Sequence, residues 1–152
     1  MPGTDCSPVL LAADHAGYPL KEQIKALLLE QGYQVDDLGT DSTGSVDYPD
    51  YGRRMAEAIA SGRADRGVIV CGTGIGISIA ANRNPAVRAA LCHDVTTARL
   101  ARQHNDANVL AIGARIVGSE IARDCVLAFL DTAFEGGRHQ RRVAMLGAAT
   151  NG

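Results

Sequence analysis

The chain has no tryptophan, two phenylalanines and four tyrosines among 152 residues, an aromatic content of 4%. It therefore offers few platforms on which unpaired bases could stack, and it leaves alanine, isoleucine, leucine and valine to build the core. Positive charge is not in excess either: 15 lysines and arginines face 17 aspartates and glutamates, a formal net charge of −2. A nucleic-acid partner, which selects basic surfaces, is not expected. No apolar run is long enough to span a bilayer, and Met1-Pro2-Gly3-Thr4-Asp5-Cys6 lacks the basic and apolar regions of a secretory leader. These absences predict a cytoplasmic protein without membrane contact. Cys6, Cys71, Cys92 and Cys125 include no C-x-x-C pair and no Cys/His cluster of zinc spacing, so reduced thiols and no metal are expected.

What is present is a hydrophobic content of 46%, enough for one domain with a real core, expected over residues 8–146 with terminal tails 1–7 and 147–152. Five short apolar runs, Pro8–Ala13, Tyr33–Leu38, Gly67–Cys71, Val87–Cys92 and Asn108–Ile112, alternate with segments of helical period. Leu20, Ile24, Leu27 and Leu28 share one helical face, and Asp94 and Ser119 stand where N-caps belong. The alternation predicts an α/β three-layer, Rossmann-like sandwich with a five-stranded parallel sheet in the order 2-1-3-4-5. An extra C-terminal helix opens within Glu135–Val143.

The densest chemistry lies in Gly67-Val68-Ile69-Val70-Cys71-Gly72-Thr73-Gly74-Ile75-Gly76-Ile77-Ser78. A buried strand turns there into a helix, so the N–H groups of Gly72, Gly74, Ile75 and Gly76 can converge on an anion without intervening side chains. The helix start favours a thiolate at Cys71. The spacing is not the dinucleotide fingerprint, which would require glycine at Ile77, nor a Walker loop, since no Lys-Ser/Thr pair follows. Ligands in such folds bind beyond the carboxyl ends of the strands, which also carry Asp14 and His15, the loop to Tyr48, Thr73 and Arg115. Arg138 and Arg142, four residues apart, share a helical face and could clamp a phosphate.

These motifs resemble the ribose/galactose phosphate isomerase family, and within it the type B ribose-5-phosphate isomerases that use a cysteine base. The resemblance runs through Ala13–Gly17, Asp47-Tyr48-Pro49, Cys71–Asn82, Arg102-Gln103-His104-Asn105-Asp106 and Glu135-Gly136-Gly137-Arg138-His139. It implies interconversion of an aldose phosphate and its ketose isomer without cofactor or metal, in a homodimer or dimer of dimers whose sites combine residues of two subunits. By the same resemblance Cys71 is the base, Thr73 orients the substrate, His104 opens the sugar ring, and Asp14, Tyr48 and Asn105 hold the sugar. His15, Arg115, Arg138 and Arg142 are implied at the phosphate. Five-carbon substrates are expected first, with four- and six-carbon sugar phosphates as the alternative. A non-catalytic phosphosugar-binding protein would have no use for an ionisable thiol. An electron carrier or receiver domain of similar fold would need a Ser/Thr-rich first loop or an aspartate in place of Cys71.

Overall fold

A computed structural model describes residues 7–147; the expected tails at 1–6 and 148–152, with Cys6, lie outside the described residues. The most apolar runs form the longest strands: β1 (Val9–Ala13), β3 (Arg66–Cys71) and β5 (Val109–Gly113), the first and last buried at every position. The shorter β2 (Val35–Asp37) and β4 (Ala89–Leu91) have half-covered residues. The described residues also form six helices: α1 (Tyr18–Glu30), α2 (Tyr48–Ala60), α3 (Ile75–Asn82), α4 (Val95–Asn105), α5 (Ser119–Asp131) and α6 (Arg138–Leu146). Among the described residues no helix is long and apolar enough to cross a membrane.

All pairings are parallel, in the order β2-β1-β3-β5-β4. The α/β class and the five parallel strands agree with the sequence pattern; the last two strands are exchanged relative to the expected order. Their burial explains the exchange. β5 is apolar on both faces and takes an interior place, whereas β4 exposes Leu91 and takes the edge. Amides shorten β4 further. Asn82 takes both outward backbone groups of Ala89, donating to its carbonyl at 3.0 Å and accepting from its N–H at 2.7 Å. Asn108 accepts from Arg88 N–H and donates to the Ala86 carbonyl, both at 2.8 Å.

Side-chain alternation splits the core into two layers. Val9, Leu11, Val68, Val70, Leu110 and Ile112 meet α1, α4 and α5, while Leu10, Ala12, Ile69, Cys71, Val109 and Ala111 meet α2 and α3. Leu28 and Phe129 are fully buried, each contributing about 1.5–3 kcal/mol by that burial. Asp94 caps α4, accepting from Thr97 N–H at 2.7 Å. Ser119 does not cap α5: Gly118 holds the extended cap position, and Ser119 is the first helical residue. Tyr48 likewise opens α2 rather than lying in the preceding loop.

Candidate functional site

The carboxyl ends of the strands gather one group of residues around the β3–α3 turn. Cys71 ends β3, 4% exposed, and its Sγ accepts a hydrogen bond from Gly74 N–H at 3.1 Å. That contact requires the chain to double back. Gly74 does so with φ +76°, a left-handed conformation that a side chain would strain, and it is the residue from which α3 starts. Thr73 Oγ1 accepts from Ile75 N–H at 3.2 Å, so the turn is held by its own side chains. The Tyr48 ring packs against Gly76, where a Cβ would come 2.5 Å from it. Arg115 returns from the end of β5, its N–H bonded to the Gly72 carbonyl at 2.9 Å and its guanidinium lying against Gly72.

The end of β1 supplies the other wall. Asp14 is buried and accepts from Gly17 N–H at 2.9 Å, turning the chain into α1. His15 Nδ1 lies 3.1 Å from Val46 N; with the ring proton on Nε2 it accepts that bond and leaves Nε2 to donate. A buried ion pair braces this wall. Lys21, 1% exposed, donates to Asp37 Oδ2 at 2.7 Å and to Glu22 at 2.8 Å. Asp37 Oδ1 accepts from Gly39 N–H at 2.9 Å, and Gly39 and Thr40 bond back to Ala13, next to Asp14. Burial alone would lower the Lys21 ammonium and raise the Asp37 carboxyl; their pairing outweighs it and holds Lys21 above and Asp37 below their ordinary values. In the opposite layer, burial pushes the Cys92 thiol up and the Cys125 thiol to about 11, which marks them as core residues.

The remaining candidates sit at the other end of the sheet. α4 runs from the carboxyl end of β4 back to the start of β5, and β5 spans five residues, about 16 Å. His104 and Asn105, in the last turn of α4, are therefore separated by the height of the sheet from Cys71. Arg102 and Asp106 brace this end: Arg102 Nη1 donates to Asp106 Oδ1 at 2.8 Å and to the Ala107 carbonyl at 2.7 Å, and its Nε donates to the Thr132 carbonyl at 3.1 Å. α6 begins alongside, with Glu135 N–H bonded to the Gln103 carbonyl at 3.1 Å. Arg138 and Arg142 are exposed on α6. Within one chain, then, Asp14, His15, Tyr48, Cys71, Gly72, Thr73, Gly74, Ile75, Gly76 and Arg115 come together, and His104, Asn105, Arg138 and Arg142 form a second group elsewhere.

The second group includes a residue to which the sequence analysis gives no role of its own. His139 is buried and stacks on His104, ring centroids 4.4 Å apart and planes 14° from parallel. Its Nε2 lies 3.8 Å from Glu135 Oε2. His104, Glu135 and His139 thus bring three metal-ligating atoms within 4.8 Å of one another. Face-to-face rings keep their nitrogen lone pairs in separate planes, so one ring would have to turn before both could address a single ion. The signal that could have found His139 is its place directly after Gly-Gly-Arg.

A family model described as Ribose/Galactose Isomerase matches residues 9–146. The chain is 49% identical over 140 residues to ribose-5-phosphate isomerase B of Escherichia coli K12, covering 92% of this chain and 94% of the relative. It is also 42% identical over 140 residues to D-erythrulose-4-phosphate isomerase of Pectobacterium atrosepticum, covering 91% and 92%. Among solved structures, ribose-5-phosphate isomerase B of Clostridium thermocellum matches with a TM-score of 0.91 at 51% identity, covering 92% and 95% of the two chains.

Proposed function

This chain belongs to the ribose/galactose isomerase family, and from that premise we propose that it interconverts ribose 5-phosphate and ribulose 5-phosphate with Cys71 as the base. It is a sugar-phosphate aldose–ketose isomerase; the base, the sugar length and the subunit arrangement are our reading. The observation that carries the base is the Gly74 N–H aimed at Cys71 Sγ at 3.1 Å beneath the start of α3. A donor and a helix N-terminus aimed at sulfur both favour negative charge there.

The thiolate takes the proton from C2 of the open-chain aldose, and the C2–H electron pair becomes the C1–C2 double bond of an enediolate whose charge rests on O1. The N–H groups of Gly72, Thr73 and Gly76, which unlike those of Gly74 and Ile75 are not bonded to a side chain of the turn, stabilise that oxygen. The thiol then returns the proton to C1 while the C2 hydroxyl loses its proton to become the ketone and O1 gains one. Thr73 orients the sugar, and Asp14 and Tyr48 hold it. Ribose 5-phosphate rests mainly as a closed ring, so His104 first protonates the ring oxygen as the C1 hydroxyl gives up its proton. Asn105 holds the sugar beside it. His15, Arg115, Arg138 and Arg142 bind the phosphate.

Because His104, Asn105, Arg138 and Arg142 stand at the far end of the sheet from Cys71, the complete site combines two subunits of a homodimer, or of a dimer of dimers. Ile75 and Ile79, each 51% exposed and one turn apart on α3, together with exposed Ile116 and Leu91 beside the same turn, supply an apolar face for a second copy. The buried unpaired thiols Cys71, Cys92 and Cys125 suit the cytoplasm, where pentose phosphate metabolism supplies the substrate.

The test is an NMR assay of purified protein against four-, five- and six-carbon sugar phosphates in deuterated water. Ribose 5-phosphate is expected to turn over fastest, with deuterium entering the carbon that receives the proton. A faster four-carbon substrate would instead align the chain with its erythrulose-phosphate relative. Turnover of none would overturn the reading.

A further inference from the structure

α6 buries one of its nine residues, and that residue is a histidine. An apolar side chain would fill the place without desolvating ring nitrogens. His139 lies face to face on His104 at 4.4 Å. The His104 ring makes no hydrogen bond within the described residues; the stack is what fixes its plane and leaves both nitrogens open. His139 is itself anchored by backbone on two sides, by the Gly136 carbonyl that accepts from its N–H at 3.1 Å and by the Glu135 N–H to Gln103 carbonyl bond that ties its loop to α4.

We propose that His139 is a positioning residue for ring opening, its stacked imidazole holding His104 so that the proton it donates is directed at the sugar ring oxygen. The inference rests on the assignment of His104 to ring opening made above. Charge supports the division of labour. His139 faces His104 from α4, Arg138 and Arg142 on its own helix, and Glu135 from the preceding loop. Partial removal from water, then the positive potential of His104 and the two arginines, outweigh Glu135 and hold the His139 imidazolium below its ordinary value. A protonated His104 over a neutral ring face is attracted to it, whereas two charged rings at 4.4 Å repel.

The experiment compares His104→Ala, His139→Ala and His139→Phe with the unmodified enzyme on ribose 5-phosphate and, in reverse, on open-chain ribulose 5-phosphate. It is read by rapid-mixing kinetics and by NMR titration of the His104 ring. His139→Ala is expected to lower kcat from the closed aldose about 10-fold, the scale of a misdirected catalytic group, with KM unchanged. First proton abstraction from the ketose should stay at its native rate, and the His104 titration should shift. Phenylalanine, which can stack but not titrate, should restore most of the lost rate. Native kinetics with an unmoved His104 titration in His139→Ala would overturn the proposal. So would a phenylalanine variant as slow as alanine, since His139 would then act through its own proton. In the unmodified enzyme the two rings should titrate as a coupled pair; independent curves would overturn the proposal without any variant. If His104→Ala opens the closed sugar at the native rate, the failure lies in the earlier assignment of His104.

Discussion

The two ends of the sheet are built from different materials. At the carboxyl end the reactive geometry is backbone: Gly74 turns left-handed, its N–H meets a buried sulfur, and Tyr48 covers Gly76. At the amino end it is side chain: stacked imidazoles and exposed arginines carried on helix surfaces, braced from beneath by Arg102. The first is pre-organised by the strand-to-helix turn, so few alternative residues fit it. The second is adjustable and, in a single chain, faces no thiol. Under the proposed function the difference teaches that neither end is an active site alone: bond-making is assigned to the rigid end, capture and ring opening to the other.

The sharpest way to break this comparison is Cys71→Ala. It should lower turnover by roughly two to four orders of magnitude, the range of a lost general base, while a non-reacting sugar-phosphate analogue still binds in calorimetry. Retained turnover would move the chemistry away from the rigid end.

Arg138→Ala and Arg142→Ala should act on capture instead. Each loses about 1.5–3 kcal/mol of charge-assisted bonding, read as a roughly 10- to 100-fold rise in KM. Mixing inactive Cys71→Ala with inactive Arg138→Ala/Arg142→Ala tests how the ends meet. After subunit exchange one site of each mixed dimer is intact and the other carries both defects, so up to half the native activity per mixed dimer should return. No recovery would put both ends of one chain in one site.

Smaller effects should separate the bracing of the two ends. Lys21→Met leaves Asp37 without its 2.7 Å partner and should cost about 1–3 kcal/mol in urea denaturation. The sign of the pH response follows from the shifts. Asp37 is held low, so its stabilisation is present above the ordinary carboxylate value and fades as pH falls through its lower folded value. Lys21 is held high, so its share persists below the ordinary ammonium value and fades as pH rises through its higher folded value. His139 is held low, and as pH falls through the ordinary imidazole range the unfolded chain takes up its proton more readily than the folded one. Stability should therefore begin to fall below about pH 6.5, and less so in His139→Phe, as differential scanning calorimetry across pH 5–8 would record.

The rigid end was legible because its residues are contiguous: a β-branched run, a cysteine and three spaced glycines state strand, turn and helix in one stretch. Its companions at Asp14 and Arg115 followed from the rule that parallel strands end on one rim. The exchange of β4 and β5 was not legible, because an apolar run states that a strand is buried, not which neighbour it has. It shows only in how far each strand is covered, β5 being buried at every position while β4 exposes Leu91. The stack of His139 on His104 was hidden for a similar reason. The rings come from separate helices, and only the docking of α6 against α4 brings them into register. In Arg102-Gln103-His104-Asn105-Asp106 the sequence did not distinguish the outward-facing members from Arg102 and Asp106, which hold the helix end in place.

The order of the strands also bears on how the chain behaves when crowded. Both borders of the sheet are three residues long, β2 on one side and β4 on the other, and on β4 the Asn82 carboxamide occupies the free N–H and carbonyl of Ala89 like a stopper. A stray strand arriving there would find little unpaired backbone to copy. The longer strands that could template a fibre, β1, β3 and β5, are sealed in the interior, so the sheet offers no long open edge along which strands could be added.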